Sequence, residues 1–262
     1  MSFAELIHLE AHGADVLVGT GPRYPWGGLY GGQIVAQALR ASAATVEERY
    51  QVHSLRAYFI RAGDADEPVR YEVDRIRNGR SFCTRRVVAR QATGAILNLE
   101  ASFHAGEASA TVQTVRAGDD VTGPEGLIDD SWTSAFERRF LPDDDDGSGR
   151  ARCWFRIPQP LDDDPLLHAT ALAYISDDLP TDAVTRAMGL GRDAFDDGWF
   201  SVSLDHTIWF HGPLRADDWH LQDFTCHGYS SGRGLAVGHV FTPDGSHAAT
   251  IAQEVLIRKR RT

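Results

Sequence analysis

Two adjacent carboxylates, Asp177 and Asp178, close the apolar run LAYIS (172–176) and stand directly before Leu-Pro, a helix-stopping pair. Such a run lies against a core, where an unpaired carboxylate costs several kcal/mol. With residues 165–176 helical, Asp177 falls at the C-terminal end, where the helix dipole disfavours an anion. Apolar neighbours add desolvation, and both effects raise a carboxyl pKa and make the ionised form a better base. An Asp of this kind can orient and deprotonate a water. Gln253 is a second candidate, a lone amide on a strand face that otherwise reads Ile251, Val255, Ile257. A buried amide needs partners, and it can hold a water with one end and a hydroxyl or carboxylate with the other. The competing readings are plain. An Asp before Leu-Pro is commonly a turn residue, and a Gln on a strand is commonly structural.

His53 and His206 each could serve as a base, or each could be a satisfied histidine between sheet and helix. His206 and His211 lack the helical i, i+4 spacing of a metal pair, so no metal is expected. The stretch GYSSG (228–232) matches the nucleophile-elbow pattern with Ser230 as nucleophile. That motif needs a helix after it, whereas RGLAVGHVFTPDG reads as an alternating strand running into a hairpin. A serine hydrolase using Ser230 is therefore a minor alternative.

The elements that must position these residues follow from periodicity. GGQIVAQALRASAATV (31–46) carries a 3.6-residue apolar stripe and predicts a helix, and the GGLYGG before it exposes N–H groups at its positive end, an anion site. Residues 52–64, 69–79, 81–94 and 95–107 alternate as strands with Gly-containing turns between them. Residues 108–149 are poor in apolar side chains and read as a linker with at most short local structure. A strand at 151–160, a helix over PLLHATALAYISDD (165–178) and four more strands to residue 260 complete the chain. Helix then four strands occurs twice, and HSLRAYFIRAGD aligns with SLDHTIWFHGPL about 150 positions later, an internal duplication. The expected division is 1–107, a linker over 108–149, and 150–262. The expected fold is α+β, each half a long helix on the concave face of a curled antiparallel sheet, the two sheets joined edge to edge.

Composition narrows the function classes. The chain has 262 residues, a formal net charge of −11 and acidic runs such as LPDDDDGSG. That surface argues against nucleic-acid and anionic-membrane partners, which want basic patches. Cys83, Cys153 and Cys226 form no CxxC and suit a reducing compartment. The N-terminus has neither a basic n-region nor a long apolar h-region, and no apolar run is long enough to span a bilayer. A cytoplasmic protein is the expectation.

Taken together, GGQIVAQAL, VHSLRAYFIRAGD, RNGRSF, LDHTIWFH, SSGRG and the terminal AQE resemble the acyl-CoA thioesterase II family, the double-hotdog thioesterases. The motifs run in order from about Gly27 to Ile257 and occupy both halves. The resemblance implies a tandem hotdog and a cofactor-free hydrolase that splits acyl-coenzyme A into fatty acid and coenzyme A. It places the catalytic Asp, hydroxyl and Gln on Asp177, Ser203 and Gln253, a Ser being within the family's Thr-or-Ser pattern. A thioester is already activated, so neither covalent nucleophile nor metal is required. Coenzyme A phosphates are expected at the GRSF and SSGRG turns: Gly79, Arg80 and Ser81 in the first half, Ser230, Ser231 and Arg233 in the second. The family also implies a homo-oligomer. An acyl-CoA-binding or hydratase-type hotdog protein is the alternative, although a hydratase would pair its Asp closely with a His, and the His nearest Asp177 in sequence is His168.

Overall fold

The computed structural model describes residues 2–142, 148–191, 195 and 197–260. Strands β1 (Glu10–Ala11), β2 (Val16–Gly19), β3 (Gln51–Phe59), β4 (Val69–Asn78), β5 (Phe82–Gln91) and β6 (Gly94–His104) come from the first half. The second supplies β7 (Glu137–Phe140), β8 (Arg150–Arg156), β9 (Trp199–Ser203), β10 (Asp205–Phe210), β11 (His220–Ser230), β12 (Arg233–Phe241) and β13 (His247–Lys259). All thirteen belong to one antiparallel sheet ordered β1-β2-β4-β5-β6-β3-β10-β13-β12-β11-β8-β7, with β9 also on β13. This is the expected tandem hotdog with its halves joined edge to edge. The seam is the β3–β10 pair, in which Tyr58 faces Asp205, Arg56 faces Thr207 and Ser54 faces Trp209.

A short helix α1 (Phe3–Leu6) precedes the long α2 (Gly31–Ala43), and α3 (Pro165–Ile175) is its counterpart. Both long helices lie on one face of the sheet, here the inward face. Alternation then sorts β13: Ile251, Gln253, Val255 and Ile257 are fully buried inward, while Thr250, Ala252, Glu254 and Leu256 stay partly exposed outward. Helix α2 carries two buried glutamines, and each is bonded. Gln33 and Gln37 both donate to the Thr20 carbonyl at 2.9 Å, while Tyr24 and Tyr71 donate back to them. Helix α3 is buried on nearly every side from His168 onward, so it needs no polar face. Asp164 caps it by accepting from the Leu166 N–H at 2.9 Å, and Pro165 fills its first turn.

Two readings of the chain change here. The helix expected over 165–178 stops at Ile175, and the Leu-Pro that follows is also a start: Pro180 opens a further helix, α4 (Pro180–Ala187), because proline is well suited to a first helical position. The stretch 108–149 does more than link. Val115, Ala117, Val121 and Leu127 pack on Leu221, Trp154 and Phe241, covering the outward face of the second half. Residues 131–140 then bring Trp132, Phe136 and the edge strand β7 to the ends of α2 and α3.

Candidate active site

At the end of α3 the chain turns, and Asp177 points into the space between α3, β9 and the start of α2. Its Oδ1 accepts from the Ser203 hydroxyl at 2.7 Å. Ser203 Oγ in turn accepts from Gln253 Nε2 at 2.9 Å. The backbone N–H of Gly32 also donates to the carboxylate, and a Cβ at Gly31 would come within 2.6 Å of Asp177 Oδ2. The anion expected at the GGLYGG helix start is thus the protein's own carboxylate. A side chain at Gly31 would displace it.

A bulge aims Ser203. Ser203 faces Val255 and Thr207 faces Ala252, so the strand takes four residue steps against three on β13. The extra residue falls at Leu204–Asp205, where the Asp205 carboxylate accepts the Glu254 N–H at 2.7 Å and Leu204 O accepts the Phe59 N–H from the first half at 3.0 Å. Bulges re-aim side chains in this way beside active sites.

Burial dominates the electrostatics. Asp177 is 6% exposed, and desolvation pushes its pKa up to about 7. The bonds from Ser203, Gly32 and Gln253 pull the other way and Asp178 adds repulsion, yet desolvation prevails. His206, on the inward face of β10, touches Gln253 Oε1 through Nδ1 and lies 2.9 Å from Ser176 Oγ through Nε2. Its burial is complete and pushes its pKa down to about 4, so the ring is neutral at pH 7. Asp178 faces away from this group. Its oxygens accept from Trp132 Nε1 and Arg138 Nη1, each at 2.6 Å, tying residues 131–138 to the helix end. Trp132 joins an aromatic cluster with Tyr24, Trp26, Tyr30 and Tyr174 beside a cavity of about 230 Å³. A larger cavity, about 450 Å³, opens on the opposite face of the sheet by Trp219 and Phe241 and contains none of the ionisable groups just described. The buried cluster, and not the larger cavity, has the chemistry. Among the described residues no group of three or more His, Cys, Asp or Glu is arranged to hold a metal ion.

A family model for the acyl-CoA thioesterase N-terminal domain matches residues 20–104, and one for the acyl-CoA thioesterase C-terminal domain matches 110–257. The chain belongs to the acyl-CoA thioesterase II family. Human acyl-coenzyme A thioesterase 8 is 33% identical over an alignment of 288 positions, covering 97% of this chain and 88% of that protein. Acyl-CoA thioesterase 2 of Haemophilus influenzae is 32% identical, with 88% and 87% covered. Among solved structures, acyl-CoA thioesterase II from Mycobacterium marinum superposes with a TM-score of 0.87 at 33% identity, with 98% of both chains covered.

Within this thioesterase II chain the structure brings Asp177, Ser203 and Gln253 into one hydrogen-bonded group, although they lie 26 and 50 residues apart. The six turn residues are not brought together. Ser230 and Arg233 close the β11–β12 hairpin over Ser231 (φ 53°) and Gly232 (φ 80°). Gly234 and Ser203 both face Val255, so that hairpin lies only two strand spacings, about 10 Å, from the site. The Arg233 side chain nevertheless points to the outward face, 3.6 Å from Glu254. Gly79, Arg80 and Ser81 form the β4–β5 turn by the start of β3, at the far end of the sheet, where Tyr50 donates to the Gly79 and Arg80 carbonyls and Ala105 to that of Ser81. No helix follows Ser230, in agreement with setting the nucleophile elbow aside. Sequence reasoning missed the link of His206 and Ser176 to the site, and the part played by Gly31 and Gly32. The signal for the first lay in the histidine of LDH, His206, three residues after Ser203.

Proposed function

We propose that this chain hydrolyses acyl-CoA thioesters to free fatty acid and coenzyme A, with Asp177 as general base. The observation that carries the reading is a buried carboxylate raised to about 7 and bonded to Ser203 and Gln253. An acid so tuned is ionised often enough near neutrality to accept a proton, and basic enough to take it from water. Water loses its proton to Asp177 as its oxygen bonds to the thioester carbon. Ser203 and Gln253 hold the carboxylate, the water and the carbonyl in register. Collapse of the tetrahedral adduct breaks the carbon–sulfur bond, and the proton held by Asp177 goes to the departing thiolate. The close family relatives named acyl-CoA thioesterases support the same substrate class.

The remaining expectations join this reading. Coenzyme A phosphates meet the Ser230–Arg233 hairpin, the turn nearer the site, with Arg233 released from Glu254. The protein acts without cofactor in the cytoplasm as a homo-oligomer, packing through the outward face where Tyr58, Val202, Trp209 and Leu235 are 41–49% exposed. A light-scattering mass equal to the 28.8 kDa monomer at micromolar concentration would remove the oligomer.

A thiol reagent tests the reaction itself. Free thiol released from a panel of saturated acyl-CoAs marks a thioesterase; loss of an enoyl chromophore without thiol marks a hydratase; binding with neither marks a carrier. Because ionised Asp177 is the active form, kcat/KM should rise with pH and level off above about 7. A profile flat from pH 5 to 9 would exclude Asp177 as the base.

A further inference from the structure

The hydrogen bonds around Asp177 form a closed circuit, and its direction is fixed at a residue outside the proposed catalytic group. Gln253 has two ends of different character: Oε1 only accepts and Nε2 only donates. Oε1 meets His206 Nδ1 and Nε2 meets Ser203 Oγ. His206 is buried and neutral, so it carries one N–H. For Oε1 to be satisfied that hydrogen must sit on Nδ1, leaving Nε2 bare to accept the Ser176 O–H at 2.9 Å. The order is then Ser176 O–H to His206, His206 N–H to Gln253, Gln253 N–H to Ser203, and Ser203 O–H to Asp177. Ser176 and Asp177 are neighbours in the chain, which closes the ring.

The reverse order is not equivalent. If the Gln253 amide turned over, Oε1 would face Ser203 Oγ, and the single Ser203 hydrogen would be contested by Oε1 and Asp177 Oδ1. One of two buried acceptors would lose its donor and be left unsatisfied, which is costly away from water. A proton on His206 Nε2 favours that reversed state; a proton on Nδ1 forbids it. We infer that His206, donating Nδ1–H to Gln253 Oε1, is a positioning residue that keeps the Gln253 amide N–H directed at Ser203 and Asp177.

This rests on the thioesterase reading above, and two substitutions of similar polarity separate it from a packing role. Asn places its amide N–H near the position of imidazole Nδ1, whereas Gln reaches the position of Nε2 and leaves Gln253 Oε1 without a donor. His206→Asn should keep kcat within about tenfold of wild type, and His206→Gln should lower it about a hundredfold with KM little changed, as for a misplaced catalytic group. The pH profile supplies a readout that loss of packing would not move. With Ser203 drawn toward Oε1, Asp177 loses a bond that lowers its pKa, so the acid limb of kcat/KM should shift to higher pH in His206→Gln and stay in place in His206→Asn. The other titratable groups whose charge bears on Asp177 or lies beside it, Asp178 with its partner Arg138 and the buried Tyr30 phenol, are untouched by either change. Equal losses in the two variants, or a lowered profile with an unmoved limb, would overturn the role. Should neither variant fold, nitrogen NMR of the wild-type imidazoles decides it: the Nδ1–H tautomer on His206 is expected, and the Nε2–H tautomer refutes the inference. If Asp177→Asn is fully active, the parent reading has failed; if Asp177→Asn is dead while His206→Asn and His206→Gln behave alike, only this one has.

Discussion

Two residues past the end of α3 stands Asp177, and two residues past the end of α2 stands Thr45. Behind Thr45 lies Arg85, a guanidinium only 2% exposed. Its Nε donates to Thr45 Oγ1 at 2.7 Å, Nη1 to the Arg77 and Thr84 carbonyls, and Nη2 to the Thr45 carbonyl and Asn78 Oδ1. All five N–H groups are used, every acceptor is neutral, and no carboxylate is among them. The duplicated halves have therefore solved the same problem, a charge buried at a helix end, in opposite ways. Desolvation lowers the Arg85 pKa, but a guanidinium stays protonated, so saturated bonding makes it a fixed brace. Desolvation raises Asp177 into the range where it gains and loses a proton near neutrality. A buried charge becomes reactive when its environment nearly balances its two protonation states, and inert when it does not.

The strongest way to break that contrast is Asp177→Asn. Thioesterase activity should fall about a hundredfold or more with the fold intact. Stability should move the other way. A folded-state pKa above the unfolded value means that the native state binds the proton more tightly between pH 4 and 7, so wild-type stability declines as pH rises through that window. The variant should melt higher than wild type at pH 8, with the gap closing by pH 4. Thermal melts at the two pH values check the sign, and an equal gap at both would contradict the buried-acid account.

Arg85→Met tests the other half. It removes the charge but leaves the Thr45, Arg77 and Thr84 carbonyls short of donors, so it should cost about 2–4 kcal/mol of stability. At a temperature where the variant is folded, kcat and KM should match wild type. A specific loss of kcat would mean that the first half contributes to the chemistry after all. Asp178→Asn should have the smallest effect: kcat within about threefold, and stability lower by about 1–2 kcal/mol because Arg138 loses its closest carboxylate. A kcat loss rivalling that of Asp177→Asn would assign the base to the wrong neighbour.

Much of this was legible in the sequence because it depends on local pattern. Strand alternation in 69–107 and 218–260 follows from one buried and one open face, and the echo of HSLRAYFIRAGD in SLDHTIWFHGPL marked the two strands that form the seam. Asp177, Ser203 and Gln253 were marked by the family motifs more than by their own chemistry, and the structure places them in contact. What could not be read has a physical reason in each case. Pro180 starts a helix or stops one depending on where the chain before it ends, and residue type does not fix that. Trp132 and Arg138 sit in a stretch without periodicity, and their partner Asp178 is 46 and 40 residues away. His206 looked like a satisfied interface histidine because it is one. Which atoms satisfy it depends on a bulge at Leu204 that no spacing rule announces.

The seam between β3 and β10 carries one more consequence. Arg56 faces Thr207 at its middle, Tyr58 faces Asp205 toward one end, and Trp209 faces Ser54 toward the other. About a local two-fold axis through the Arg56–Thr207 pair, Tyr58 and Trp209 occupy equivalent places in the ladder, and so do Asp205 and Ser54. In a dimer of identical chains any residue chosen for one end would be imposed on the other. Here a peptide chain joins the two copies, and each end changes alone. Asp205 could become the acceptor for the Glu254 N–H that supports the bulge at Ser203, while its counterpart remained a serine. Covalent fusion frees the two ends from copying each other, and a single asymmetric site is what that freedom permits.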